Sequence, residues 1–218
     1  MNRAEVLNRI EELAVVPVVR APSARLALAA VEALLEGGLS VFEITLTVPG
    51  ALGVIEKLVA ELGERAVVGA GTVLSANSAL EAVRAGAAFV VSPGLDLRTV
   101  EAMRAREIPV FPGALTPTEI LSAWNAGADV VKIFPCSALG GAKYLTQLRG
   151  PFPDIKLMPT GGVSVSNAAE FLRAGATAVG LGTDLVDIAA VEAGRAHVLT
   201  ERSRALLESL RPARATLI

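Results

Sequence analysis

The sequence predicts an α/β protein of the (β/α)8 barrel class with an additional N-terminal helix, folded as one domain over residues 1–218. Three observations predict it. Apolar runs rich in β-branched residues recur eight times, segments of helical period separate them, and a glycine-containing helix stop returns before every second run. The runs are mostly continuous rather than alternating, which is how strands covered on both faces read, and parallel sheets are of that kind.

Residues Met1 to Leu13 read as a helix ahead of the first strand. The eight runs are Val15 to Val19, Val41 to Leu46, Ala66 to Ala70, Ala88 to Val91, Ile108 to Phe111, Asp129 to Phe134, Ile155 to Met158 and Thr177 to Leu181. Between the first two, Ser23 is placed to cap a helix of amphipathic period, and Gly37 and Gly38 to end it. Further helices start near Ser75 or Ser78, near Asp96, at Thr116-Pro-Thr-Glu and at Ser164 or Ser166. The stops Glu-Gly-Gly-Leu, Arg-Ala-Gly-Ala, Asn-Ala-Gly-Ala and Arg-Ala-Gly-Ala end on Gly38, Gly86, Gly127 and Gly175, which divides the chain into pairs of βα units. A doubly wound open sheet is the alternative, but the G-x-G-x-x-G turn that would favour it is absent. One or two helices follow Val186, one of them over Glu192 to Leu210, where His197 reads as a surface or packing residue. Nothing resembles a linker or a low-complexity segment.

Composition narrows the function. The chain is 52% apolar and 19% charged, with a mean hydropathy of +0.54. Its longest uncharged stretch, Ala66 to Leu80, is interrupted by Gly, Ser and Asn and falls short of the ~20 apolar residues of a membrane span. The first twelve residues carry acids where a secretory signal needs a basic start and an apolar core, so a cytoplasmic protein is expected. A formal charge of -2, no basic run and few aromatics argue against nucleic acid. One cysteine and one histidine exclude an internal disulfide and a multi-His or thiol-rich metal site, so no metal is expected. Cys136 reads as packing.

In a barrel the chemistry sits at the C-terminal ends of the strands. The polar residues and glycines there are Arg20, Glu43, Thr45, Thr47, Thr72, Ser92, Thr116, Lys132, Thr160, Gly161, Gly162, Gly182 and Thr183. Lys132 stands in Val130-Val-Lys-Ile-Phe-Pro, between apolar neighbours. Desolvation would lower its pKa and leave an amine able to attack a carbonyl; an ion-paired structural lysine is the other reading. Glu43 stands in Val41-Phe-Glu-Ile-Thr-Leu, with Val41, Glu43 and Thr45 on one face of their strand and Val130, Lys132 and Phe134 on one face of theirs. If both faces point inward, a carboxylate and an amine converge. That pair fits acid–base catalysis, or else a buried structural ion pair, which desolvation makes a poor stabiliser. Pro159-Thr-Gly-Gly-Val and Gly180-Leu-Gly-Thr follow the seventh and eighth strands, where barrels commonly bind phosphate on backbone N–H groups.

These residues resemble a known family. Val16-Pro-Val-Val-Arg, Phe42-Glu-Ile-Thr-Leu, Val68-Gly-Ala-Gly-Thr-Val-Leu, Val91-Ser-Pro-Gly-Leu, Phe111-Pro-Gly-Ala-Leu-Thr-Pro-Thr-Glu, Val131-Lys-Ile-Phe-Pro, Gly150-Pro-Phe-Pro-Asp and Pro159-Thr-Gly-Gly-Val together are similar to the 2-keto-3-deoxy-6-phosphogluconate (KDPG) aldolases, in order from about Val16 to Val186. The resemblance implies a class I aldolase on a TIM barrel, usually a homotrimer, that cleaves KDPG to pyruvate and glyceraldehyde 3-phosphate in the Entner–Doudoroff pathway, with 4-hydroxy-2-oxoglutarate (KHG) as a further substrate. It implies Lys132 as the Schiff-base lysine and Glu43 as the general acid and base, with no cofactor. Thr72, Pro93 and Phe134 match residues lining the pyruvyl pocket, Thr160, Gly161 and Gly162 a substrate-binding stretch, and Thr183 a phosphate-binding serine, with Thr45 and Gly182 beside them. The sequence departs from the family at Thr47, where many members have an arginine. Arg20, at the end of the first strand, is the expected substitute, because a guanidinium holds carboxylate or phosphate in a fork.

The same machinery would serve the galactonate epimer. A metal-dependent or enediolate-forming barrel would use Glu43 as base and Lys132 as an electrostatic clamp. A phosphosugar-binding regulatory barrel would keep the glycine loops without needing a neutral lysine.

Overall fold

The computed structural model describes residues 1–214. Helix α1 (Arg3–Leu13) leads into β1 (Val15–Val19), followed by α2 (Ala24–Glu36), β2 (Val41–Thr45), α3 (Ala51–Leu62), β3 (Val67–Gly71), α4 (Ala76–Arg84), β4 (Val90–Val91) and α5 (Leu97–Arg104). Then come β5 (Val110–Phe111), β6 (Gly113–Ala114), α6 (Pro117–Asn125), β7 (Val131–Ile133), α7 (Ala142–Arg149), β8 (Leu157–Pro159), α8 (Ala168–Arg173), β9 (Val179–Leu181), α9 (Ile188–Glu192) and α10 (His197–Arg214).

Every strand pairing is parallel. One sheet runs β5-β4-β3-β2-β1-β9 and a second runs β6-β7-β8. The strands are mostly buried and helices intervene between them, which is why their sequences read as unbroken apolar runs. The buried core extends from Val6 to Leu210.

The expected runs match the observed strands to within a few residues at their ends, with β3 reaching Gly71 and β8 reaching Pro159, whereas β6 (Gly113–Ala114) lies beyond the expected fifth run. The fifth differs in kind: Pro112 has no N–H to give the ladder, so pairing stops at Phe111 and resumes at Gly113. At the expected Ser164 start, Ser164 N–H donates to Asn167 Oδ1 (2.8 Å) and Asn167 N–H to Ser164 Oγ (3.2 Å), the reciprocal pattern of a capping box, and Ala168 N–H bonds the Ser164 carbonyl (3.0 Å). The regular part of α8 follows from Ala168. The helix expected over Glu192 to Leu210 is broken, because Gly194 takes φ 73° between α9 and α10. Ser75, not Ser78, caps α4, and Ser23, Asp96 and Thr116 cap as expected.

The helix stops form one repeated device. Gly38, Gly86, Gly127 and Gly175 have φ of 96°, 98°, 98° and 97°. In each, the next residue's N–H reaches five residues back, as in Leu39 to Leu34 and Ala176 to Phe171. This is the Schellman closure that a left-handed glycine permits. A fifth copy escapes the motif: Glu107, at φ 55°, holds the same place after α5, and Ile108 N–H bonds the Met103 carbonyl.

Helix α1 lies across the N-terminal ends of the strands. Arg3 Nη2 meets Asp129 Oδ1 at 2.6 Å, and Asp129 Oδ2 accepts from Val110 N–H at 3.0 Å. Glu11 takes Lys156 Nζ at 2.6 Å. The opposite ends of the strands stay free for chemistry.

Candidate active site

Strands β2 and β7 share no ladder, yet their inward side chains meet. Lys132 Nζ lies 3.8 Å from Glu43 Oε1, with the lysine side chain 7% exposed and the glutamate fully buried. Neither Glu43 oxygen accepts a hydrogen bond. Burial pushes the Glu43 carboxyl above the ordinary carboxylate range, opposed first by Lys132 and then by Arg20. A carboxyl shifted upward holds a proton more readily than an ordinary one, which suits acid–base work.

Glycines make the room. A Cβ on Gly71 would collide with the Glu43 carboxylate, one on Gly180 with Thr160 Oγ1, and one on Gly113 with the Pro93 carbonyl group. Gly113 is in register with Lys132, which brings Pro93 beside the lysine strand. The Gly-Ala-Gly of β3 thus has a steric cause: the Glu43 side chain occupies the space beside Gly71, and the Phe89 ring the space beside Gly69.

Around this pair the expected residues converge unevenly. Phe134 follows β7, and its ring centroid is 5.3 Å from Lys132 Nζ. Thr160 is buried with its hydroxyl unpartnered. Thr72 takes φ 56° past the end of β3 and receives Arg20 Nη2 on its hydroxyl at 3.2 Å. Arg20 itself is exposed at the end of β1. The Thr45 hydroxyl is engaged elsewhere, donating to the Val19 carbonyl (3.2 Å) and pairing with Thr47 Oγ1 (2.9 Å), so it ties β2 to β1. Gly161 and Gly162 have φ of 84° and 80°, with Gly161 close to Pro135 and Phe134 and Gly162 close to Ser137. Gly182 and Thr183 follow β9, and Thr183 is exposed.

Cys136 is buried, and burial raises its thiol to about 11, so a thiolate nucleophile is disfavoured. His197 is exposed at the start of α10. Among the described residues no group of three or more His, Cys, Asp or Glu is placed to hold a metal ion, and no helix is long and apolar enough to cross a membrane.

Two residues of the site are invisible to motif reading. Asn167 braces the loop after β8 by donating from Nδ2 to the Gly162 carbonyl at 3.0 Å. Asp184, after β9, accepts the Val165 N–H on Oδ2 at 2.7 Å. Both act on backbone across a turn, which leaves no periodic or spacing signal.

The profile of the family described as "Aldolase: KDPG and KHG aldolase" matches residues 6–201. The KHG/KDPG aldolase of Escherichia coli K12 is 36% identical over 194 residues, spanning 89% of this chain and 91% of that one. The 2-dehydro-3-deoxy-phosphogluconate aldolase of Pseudomonas aeruginosa is 36% identical over 205 residues, 94% of this chain and 93% of that one. Among solved structures, the KDPG aldolase of Legionella pneumophila, with pyruvate captured at low pH as a covalent carbinolamine intermediate, superposes with a TM-score of 0.85. It is 32% identical, covering 94% of this chain and 98% of that one. A thiamine phosphate pyrophosphorylase from Pyrococcus furiosus, at 17% identity and a TM-score of 0.71, shares the fold alone. The chain belongs to the KDPG and KHG aldolase family.

Proposed function

We propose that this protein is a class I aldolase that reversibly cleaves KDPG to pyruvate and glyceraldehyde 3-phosphate through a Schiff base on Lys132. The observation that carries the reading is the Lys132–Glu43 pair, 3.8 Å apart, with a carboxylate that no other group occupies. KHG, cleaved to pyruvate and glyoxylate, is the second substrate, favoured by a family and relatives that carry both substrate names.

Attack requires the neutral amine. Transfer of a proton from Lys132 to Glu43 supplies it, and the raised carboxyl of Glu43 favours that transfer. The amine adds to the C2 ketone; Glu43 returns a proton as the carbinolamine loses water, leaving an iminium. The Glu43 carboxylate then takes the proton of the C4 hydroxyl. The C3–C4 electrons move into the iminium, the aldehyde departs and an enamine remains. Protonation at C3 and addition of water release pyruvate and free Lys132.

Arg20 and Thr72 hold the pyruvyl carboxylate, a role supported by their mutual hydrogen bond and by the pull of Arg20 on Glu43. Pro93, Phe134 and Thr160 line the pyruvyl group, with Thr45 positioning β2. Gly161, Gly162, Gly182 and Thr183 receive the distal phosphate; among the described residues the N–H groups of Gly162, Val163 and Thr183 have no backbone acceptor, which supports an anion there. No cofactor is needed, because the imine is the electron sink.

The two parallel sheets are arcs of one closed (β/α)8 barrel in a single domain, with α1 as an additional N-terminal helix. The bridge between Thr160 and Gly180 supports closure on one side, and the single-residue interruption at Pro112 between β5 and β6 on the other. The chain works in the cytoplasm as a homotrimer, to which the exposed Leu74, Leu97 and Leu121 near the starts of α4, α5 and α6 lend apolar surface.

The test is incubation with pyruvate and borohydride, then intact mass and peptide mapping. A reduced pyruvyl adduct on Lys132, absent in Lys132→Arg, is the expected result. A folded protein that forms no adduct would overturn the aldolase reading and favour a phosphate-binding barrel without covalent chemistry.

A further inference from the structure

The loops after β8 and β9 are tied together by a carboxylate. Asp184 Oδ2 accepts the Val165 N–H at 2.7 Å, while the neighbouring Ser164 N–H is held by Asn167 Oδ1 at 2.8 Å. The free N–H groups of Gly162, Val163 and Thr183 lie in the same two loops. Asp184 therefore fixes a negative charge on the rim assigned above to the substrate's distal phosphate. Among the described residues no cation pairs with that charge. Arg202, the nearest guanidinium to it in the hydrogen-bond network, donates from Nη1 to the Asp184 backbone carbonyl at 2.7 Å and places Nη2 3.3 Å from Asp187 Oδ2.

A phosphate monoester carries close to two negative charges at neutral pH, and an unpaired carboxylate bound to the same loops repels it. A terminal hydroxyl instead donates to a carboxylate in a charge-assisted bond. We infer that Asp184 is a specificity-determining residue that weakens selection for a distal phosphate and admits unphosphorylated 2-keto-3-deoxy aldonates as substrates. The inference rests on the reading that these loops receive the distal end of an aldol substrate.

The test compares kcat/KM for KDPG and for its unphosphorylated counterpart in wild type, Asp184→Asn and Asp184→Ser. Asparagine keeps an acceptor for the Val165 N–H, and serine removes the charge with a different geometry. Both variants should raise the phosphorylated-to-unphosphorylated ratio about tenfold, equivalent to ~1.4 kcal/mol, mainly through KM. A ratio that moves less than about twofold, or falls, overturns the inference. So does a wild-type preference for the phosphorylated substrate above about a thousandfold, a result that needs no variant to fold. Failure of the aldolase reading is separable, since it shows as a wild type that traps no pyruvate.

Discussion

Gly71 lies directly against the carboxylate of Glu43: a methyl group on the glycine would coincide with the acid's Oε1. The acid comes from β2 and its bed from β3, whose Gly71 is in register with Thr45, two residues beyond Glu43. The place of the Glu43 carboxylate depends on a missing side chain in the neighbouring strand.

Gly71→Ala should accordingly displace Glu43 while leaving Lys132 in place. Displacement of a reacting group by about an ångström costs on the order of a hundredfold in rate. The expected outcome is a fall of that size in kcat, with imine trapping on Lys132 slowed as well, because Glu43 also serves the proton transfers of imine formation. The overpacked strand should also destabilise the fold by about 1–3 kcal/mol in denaturant titration.

Glu43 and Lys132 form a buried pair, an arrangement whose desolvation costs stability. The double variant Glu43→Leu/Lys132→Met should be inactive yet more stable than wild type at pH 7, by about 1–3 kcal/mol. The pH dependence follows from the raised carboxyl of Glu43. A carboxyl whose folded pKa exceeds its unfolded value binds more protons in the native state, so wild-type stability falls as pH rises from the ordinary value of 4.5 through the folded value. The part of the variant's advantage due to Glu43 should shrink toward pH 4, as melting curves at several pH values would reveal.

Arg20 and Thr47 offer a test by exchange. Arg20→Ala should raise KM for pyruvate-forming substrates by about ten- to a hundredfold, the weight of one charge-assisted anion contact. Restoring a guanidinium from the other strand, in Arg20→Ala/Thr47→Arg, should recover at least part of that loss. Steady-state kinetics with no change in KM on removing Arg20 would retire its assignment to the carboxylate.

Much of this was legible in the sequence because it rests on local chemistry. The stops at Gly38, Gly86, Gly127 and Gly175 announced the βα pairs, since a left-handed residue after a helix favours glycine. Lys132 and Glu43 stood out as charges within apolar runs; period-two reasoning fixed which neighbours share their faces, and the fold turns both faces inward. Pro112 splits the fifth strand through a missing donor, which a run-length reading passes over. Ser164 and Asn167 bond one another across three residues, a reciprocal pairing that a capping serine alone does not announce. Asp184 bonds backbone nineteen residues away, and nothing in its immediate neighbours hints at that.

Glu107 shows the same limit from the other direction, for it performs a glycine's task without being one. Glu107→Gly should relieve the left-handed strain and stabilise the protein by about 0.5–1 kcal/mol, or about 1–4 °C in Tm. Calorimetry giving a lower Tm would mean that the exposed side chain contributes more than its backbone costs.

The unpartnered oxygens of Glu43 have one more consequence. A carboxylate in water must shed its hydration shell before it can take a proton from a substrate hydroxyl, and that penalty normally falls during the reaction. Here the shell is stripped when the chain folds. The dehydration is thus completed before any substrate arrives, with Lys132, 3.8 Å away, offsetting its cost first and Arg20 second. Ligand entry then solvates the acid, so pyruvate should stiffen the resting protein as well as react with it.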